Sequence, residues 1–359
     1  MNILGLDIGG ANLKAADADG HALSIPFPMW SNYQKLHEVL RDLILKWPEQ
    51  FDTPAVTRIA LTMTGELADC FATKAEGVSF ILSQVEEASG HDIEVSVWQT
   101  SGEFVDMETA REFWTLTAAA NWHGLATWAA KSVPTSHGLL IDIGSTTTDI
   151  IPLSFGFTSS QGLTDLERMA SGELVYFGVQ RTPVAAICSH VPSSFVIPEA
   201  TGEMRMSSEQ FATMGDVYVL TGDLPEDRDN TQTADHRPLT VPYAQNRLAH
   251  QFCGDVTELS PVLIRNLAQF LKWEQLQELC DKIEDVCQKF TASLERESTE
   301  IKIETIILSG EGEFLAKEAI SRLDFLSSAT ILSLSQMMNP ASCNAACAFA
   351  LARLASESL

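Results

Sequence analysis

Apolar runs that end in turn residues set the rhythm of the chain. Ile3 to Ile8 is largely apolar, Gly9-Gly10-Ala11-Asn12 breaks it, and Leu13 to Ala16 resumes, which reads as strand, turn, strand. Asp19-Gly20 marks a second hairpin into His21 to Phe27. Leu36, Leu40, Leu43 and Trp47 share one helical stripe and predict a helix over 33–47. Arg58 to Met63 predicts a short buried strand running into Thr64-Gly65-Glu66. The pattern then predicts a helix over 80–89, an extended segment over 93–98 and a mostly helical stretch over 107–131.

The opening pattern then returns. Leu139 to Ile143 is apolar, Gly144-Ser145-Thr146-Thr147 is the turn, and Thr148 to Leu153 is the next strand. Leu6-Asp7-Ile8-Gly9 and Ile141-Asp142-Ile143-Gly144 match in order, so a strand–turn–strand unit is duplicated, one copy per domain. Residues 191–242 are rich in Pro, Ser, Thr and Asp and predict loops with short elements. Helices are expected over 245–253 and 261–270, with a long amphipathic helix over 273–296. A strand over 305–308, a turn at Ser309-Gly310-Glu311-Gly312-Glu313, a helix over 314–323 and a strand over 330–334 follow. A small-residue helix over 344–354, suited to close packing, completes the pattern.

A length of 359 residues suggests two domains at about 150 residues each. The boundaries expected are 1–136 and 137–342, with a loop-rich insertion at 191–242 and a return of 343–359 to the first domain. Lys+Arg number 23 and Asp+Glu 48, a net charge of −25, which repels nucleic acid and anionic membrane. A small phosphorylated ligand remains open, because local backbone N–H groups and a cation suffice to hold one. Seven cysteines without a CxxC fit reduced thiols in a cytoplasmic protein. Cys343 and Cys347, four apart, read as small core residues on one helix face. The uncharged runs 113–130 and 325–352 carry too many polar residues and Pro340 to span a membrane. No basic leader precedes the first apolar run.

The chemistry concentrates at the two duplicated turns. Each places a carboxylate at the end of a buried strand, before a turn of small residues whose N–H groups suit an anion. Either turn alone fits a plain hairpin; the matched pair argues for a ligand. Gly9, Gly10, Ala11 and Asn12 with Lys14, and Gly144, Ser145, Thr146 and Thr147, are the candidate phosphate contacts. Asp7, Asp142 and Asp149 are oxygen donors of the kind Mg²⁺ takes. Asp149, Asp7 and Glu66 are the candidate catalytic carboxylates. Gly310, Gly312 and Glu313 suit a nucleotide contact and a plain strand-to-helix turn equally; the third glycine of a dinucleotide fingerprint is replaced by Leu315. Arg181 and Thr182, before Pro183, are candidate substrate contacts. Asp216, Asp223, Asp227, Asp229 and Asp235 read as a solvated acidic face, with Asp223 and Asp235 available to an amine-bearing substrate. No histidine has metal-ligand spacing, and Trp114, Trp122 and Trp128 read as core.

Gly5 to Lys14 and Leu140 to Asp149 resemble the two phosphate motifs of the acetate kinase, sugar kinase, Hsp70 and actin superfamily, and Ser309 to Gly312 sits where its adenosine motif lies. The resemblance implies two α/β domains of actin-like, ribonuclease H-like ATPase fold with a ligand cleft between them. Thr62 to Asp69, Ala119 to Trp122 and Arg181 to Val184 make the chain similar to the hydantoinase A/oxoprolinase group. Gly215 to Tyr218, Gly222 to Pro225 and Thr233 to Asp235 are similar to its branch tied to tetrahydromethanopterin-linked one-carbon transfer and methanofuran biosynthesis. That branch implies a Mg²⁺-dependent transferase joining an aminomethylfuran-methyl diphosphate to a phenol. The same turns would serve an ATP-dependent kinase, an oxoprolinase-type ring hydrolase, or a nucleotide-binding sensor without chemistry. The expected partner is a small phosphorylated molecule, with Mg²⁺ and either ATP or a diphosphate-bearing substrate bound; a homo-oligomer is compatible with the sequence.

Overall fold

The computed structural model describes residues 2–294 and 301–357. The first half builds a six-stranded sheet from β1 (Ile3–Ile8), β2 (Asn12–Asp17), β3 (Ala22–Pro26), β4 (Arg58–Met63), β5 (Glu94–Trp98) and β6 (Phe104–Val105). Its order is β3-β2-β1-β4-β5-β6. β1 runs antiparallel to β2 and parallel to β4, with Asp7 opposite Lys14 and Ile8 opposite Leu13. The second half repeats the plan with β7 (His137–Ile143), β8 (Thr148–Ser154), β9 (Phe157–Thr158) and β10 (Leu174–Val175). A separate hairpin of β11 (His190–Pro192) and β12 (Glu203–Arg205) follows. The parallel strands β13 (Ile303–Ser309) and β14 (Thr330–Ser333) finish the sheet. The order is β10-β8-β7-β13-β14, with β9 also on β8, so β8-β7-β13-β14 repeats the β2-β1-β4-β5 order of the first sheet.

β1 and β7 are central in their sheets and covered on both faces, so they read as continuous apolar runs. Helix Leu36–Phe51 buries the stripe of Leu36, Leu40, Leu43 and Trp47 against the first sheet, each side chain worth about 1.5–3 kcal/mol of burial. The long helix Pro261–Leu294 lays Ile264, Leu267, Leu271, Leu279, Ile283 and Phe290 on the second core. Two further helices lie between the sheets. Helix Asn121–Ala130 packs on β7, β8 and β9, while helix Ala346–Glu357 packs on β1, β2 and β4, and the two touch each other. Gly5 permits the second contact: a Cβ there would stand 1.9 Å from the Ala348 carbonyl oxygen. This is the two-domain actin-like, ribonuclease H-like α/β fold, with a cleft between its duplicated hairpins.

Several boundaries differ from the sequence reading for identifiable reasons. The helices expected over 261–270 and 273–296 are one, because Leu271 continues the buried stripe and Lys272 is paired with Asp223 and Glu318. Its expected end at Arg296 lies outside the described residues. The helical stretch expected over 107–131 is three pieces, Met107–Glu112, Trp114–Thr117 and Asn121–Ala130. Ala118 bridges to Met63 of β4 and Ala119 takes a φ of 50°, which ends the helix there. Cys343 and Cys347 do not share one helix, because Ala345 separates Pro340–Asn344 from Ala346–Glu357. Segment 191–242 holds helix Met214–Thr221, whose Asp216 and Thr213 form a reciprocal cap. All seven cysteines are free thiols. Among the described residues, no helix is long and apolar enough to cross a membrane.

Candidate active site

The two matched turns are built alike. Gly9 N–H donates to the Asn12 carbonyl at 3.0 Å, and Gly144 N–H donates to that of Thr147 at 2.9 Å, so each turn has two residues at its tip. The tip carbonyls are tied back to the scaffold. Gly10 and Ala11 accept from Met29 and Phe27, both at 2.8 Å; Gly144 accepts from Val179 at 3.0 Å, and Ser145 from Gln180 at 3.1 Å and Arg181 at 2.8 Å. Among the described residues no backbone carbonyl accepts from the N–H groups of Gly10, Ala11, Ser145 or Thr146. Four such amides stand beside one cleft, and clustered N–H groups of this kind suit an anion. A Cβ on Gly10 would meet nothing within 4 Å, so its outer side is open to a ligand.

Both turns line one cleft of about 1150 Å³, together with Asp7, Lys14, Glu66, Asn121, Trp122, Asp142, Asp149, Arg168 and Arg181. Asp7 is 6% exposed and its Oδ1 has no hydrogen-bond partner. Burial raises its pKa, opposed by the Lys14 charge and an Asn121 hydrogen bond. Asp142 and Asp149 stand directly opposite each other across β7 and β8. Burial and then the Asp149 charge push Asp142 up to about 6, against a Ser309 hydrogen bond and Lys14. Glu66 is 1% exposed with Oε2 unpartnered. Burial lifts its pKa to about 7, opposed mainly by its own backbone N–H and by Lys74.

Asp149, the leading catalytic carboxylate in the sequence reading, is held by Arg168 in an ion pair. Burial still raises its pKa, with Arg168 pulling the other way. Asp7, Asp142 and Asp149 do not close into a metal cage: among the described residues no cluster of three or more ligating side chains forms. What remains fits Mg²⁺ in its phosphate-bridging mode, in which one or two carboxylates and substrate oxygens suffice. The orphaned Asp7 Oδ1 is the observation that supports this fit.

Other candidates are placed elsewhere or differently. Gly310 and Gly312 are packing glycines: a Cβ would stand 2.2 Å from the Ile143 carbonyl oxygen and 2.4 Å from Ile143 Cγ2 respectively. Neither lines the cleft. Glu313 is 5% exposed and bonded to Ser333, Ser335 and Lys317, so its carboxylate faces no ligand space. Thr182 bonds the Gly178 backbone at 2.8 Å and lies outside the cleft, whereas Arg181 lines it. Asp223 is paired with Lys272 at 2.9 Å, and Asp235 with Arg247 at 2.7 Å; neither reaches the cleft. Asp216 is fully buried against Arg247 at 2.6 Å, so it is no part of a solvated face. Asp227 and Asp229 of that group do line the cleft.

Arg168 is the principal residue the sequence did not single out. It is 1% exposed, pairs with Asp149, and lies over the Trp122 ring at 3.9 Å, joining the two halves. Trp122 is buried as expected but also lines the cleft, as does Cys347. Burial and the Asp7 and Asp142 charges hold the Cys347 thiol well above its usual pKa. Behind Trp122, His123 bonds Thr158 at 3.1 Å and is driven down to about 4, chiefly by burial. Gly178 backs the second turn: a Cβ there would stand 2.4 Å from the Gly144 carbonyl oxygen and 2.5 Å from Thr146 N.

The chain is similar to several known proteins. A synthase of Methanocaldococcus jannaschii, (4-{4-(2-(gamma-L-glutamylamino)ethyl)phenoxymethyl}furan-2-yl)methanamine synthase, is 30% identical over 329 residues, 90% of each chain. The protein of the same name from Methanococcus vannielii is 28% identical over 198 residues, 55% of this chain and 81% of that one. The crystal structure of an archaeal actin homolog aligns over 100% of both chains at 12% identity and a TM-score of 0.45. The nucleotide-free structure of acetone carboxylase aligns over 91% of this chain and 46% of that one, at 14% identity and a TM-score of 0.46. The hydantoinase/oxoprolinase profile matches residues 58–357, and the chain belongs to that family.

Proposed function

We propose that the protein is a transferase that joins a phenol to a furan-methyl carbon with loss of diphosphate. The observation that carries the reading is the set of four unpartnered turn amides on one cleft beside two buried, unpartnered carboxylate oxygens. The names of the two synthases support it, since they contain a phenoxymethyl group on a furan. In the proposed step the bond from the furan-methyl carbon to the diphosphate oxygen breaks, and its electron pair leaves with the diphosphate. The phenol oxygen forms the new carbon–oxygen bond, and its proton passes to Glu66. The turn amides and Lys14 would hold the leaving diphosphate as its charge grows. Asp7 and Asp142 would hold Mg²⁺, which when bound neutralises further charge on the leaving group. Asn121 and the Asp149–Arg168 pair would keep the floor of the cleft in place. Glu66, with one free oxygen and a pKa near neutrality, has the protonation behaviour a general base needs.

The test is calorimetric titration of the intact chain with pyrophosphate, ATP and ADP, each with and without Mg²⁺. Mg²⁺-dependent pyrophosphate binding is expected, and its loss in folded Asp7→Ala and Asp142→Ala proteins. Undiminished pyrophosphate binding in both variants, or binding of ATP alone, would overturn the reading.

A further inference from the structure

The cleft is larger than its oxyanion turns require. At about 1150 Å³ it exceeds the usual span of a small-molecule site, and a diphosphate fills a small part of it. An exposed aromatic side chain stands beside each turn. Trp30 follows Met29, whose N–H is fixed to the Gly10 carbonyl, and it is 49% exposed. Tyr176 lies between Val175, which pairs with Thr148, and Phe177, whose carbonyl accepts from Thr148 Oγ1 at 2.9 Å; it is 63% exposed. Leu67 directly follows Glu66 and is 59% exposed. All three line the same cleft. Scattered exposed apolar residues need no explanation. An aromatic next to each of two matched turns, one from each half of the chain, is a different arrangement. Two such faces suit a flat ring lying against them, since aromatic pairs gain from offset or edge contact beyond simple burial.

We infer that Trp30 and Tyr176 form an aromatic bracket that binds the planar ring of the acceptor and brings its hydroxyl to Glu66. Naming the ring a phenol rests on the proposed function above; the bracket itself rests on the two side chains and the cleft they share. Leu67, the neighbour of Glu66 in the chain, adds an apolar side chain to the same cleft. The bracket leaves the turn amides free for the anion, so the two ligands occupy the cleft together.

The experiment titrates the full chain with p-cresol by calorimetry, alone and with pyrophosphate and Mg²⁺ present, using methylcyclohexanol as the non-planar control. Saturable p-cresol binding and much weaker methylcyclohexanol binding are expected. Trp30→Ala and Tyr176→Ala should each weaken p-cresol by about tenfold or more, equivalent to about 1.4 kcal/mol. Trp30→Phe should retain most of the affinity. Pyrophosphate binding should change by less than about twofold in all three variants, since none removes a turn amide. Equal p-cresol affinity in the alanine variants and the unaltered chain, or no p-cresol binding at all, would overturn the bracket. Loss of pyrophosphate binding in the unaltered chain, with p-cresol still bound, would instead sink the transferase reading and leave the bracket standing.

Discussion

Glu66 shows how one side chain couples stability to chemistry. Its ordinary value of 4.5 is lifted to about 7 in the folded chain, by burial first and by the Asp165 and Asp7 charges, against its own backbone N–H and Lys74. The folded state therefore binds the proton more tightly than the unfolded state, and the associated stability is complete below pH 4.5 and lost as pH rises to about 7. Glu66→Gln removes this dependence. Urea unfolding should find the variant more stable than its parent at pH 8, by on the order of 1–3 kcal/mol, with the difference vanishing near pH 4. In the proposed step Glu66 would take the phenol proton only when ionised, so product formation should rise through about pH 7 and then level off. Arg168 is the opposite case. Arg168→Gln leaves Asp149 buried without its partner, and about 3–5 kcal/mol of stability should be lost at neutral pH. The loss should shrink in acid as Asp149 takes up a proton, which unfolding curves at two pH values will show.

At the scale of elements, the turns depend on what lies behind them. Residues 178–181 carry three N–H groups bonded to the Gly144 and Ser145 carbonyls, and Gly178 is in close contact with the turn backbone. In Gly178→Ala the added methyl would stand within 2.6 Å of three backbone atoms, none of which can move without displacing the turn. Pyrophosphate affinity should fall by about tenfold or more, while circular dichroism still reports a folded chain. Recovery of full affinity would mean that the turn does not need this support. Gly178 was not legible beforehand because its role is a long-range approach, which no local pattern encodes. Gly310 and Gly312 were legible as a turn but not in purpose; the nearest atoms to their missing Cβ positions belong to Ile143.

Across the whole molecule, charge and architecture pull against each other. The chain carries −25 overall, and the cleft is lined by nine carboxylates against three cations, Lys14, Arg168 and Arg181. A polyphosphate approaching without a metal ion meets net repulsion over tens of ångströms, which salt screens within about 10 Å. Pyrophosphate binding in the absence of Mg²⁺ should therefore strengthen as sodium chloride is raised, the reverse of ordinary anion binding at a basic site; steady weakening would contradict this account. The first and second halves of the chain are tied by Arg168 over Trp122, by Lys74 to Asp165 at 3.5 Å, and by His123 to Thr158. Each tie joins residues distant in sequence, which is why Trp122 read only as core.

The sequence by itself determined the duplication, the two strand–turn–strand units and the buried stripe of Leu36, Leu40, Leu43 and Trp47. These follow from local periodicity and from the small residues that a two-residue tip requires. It also marked Asp7, Asp142 and Glu66, because a carboxylate that closes an apolar strand stands out from its neighbours. Only the tertiary structure decided which carboxylates stay free. Asp223, Asp235 and Asp216 are claimed by Lys272 and Arg247, and Asp149 by Arg168. Charge pairing depends on distances between elements far apart in the chain, and spacing along a sequence carries no record of them.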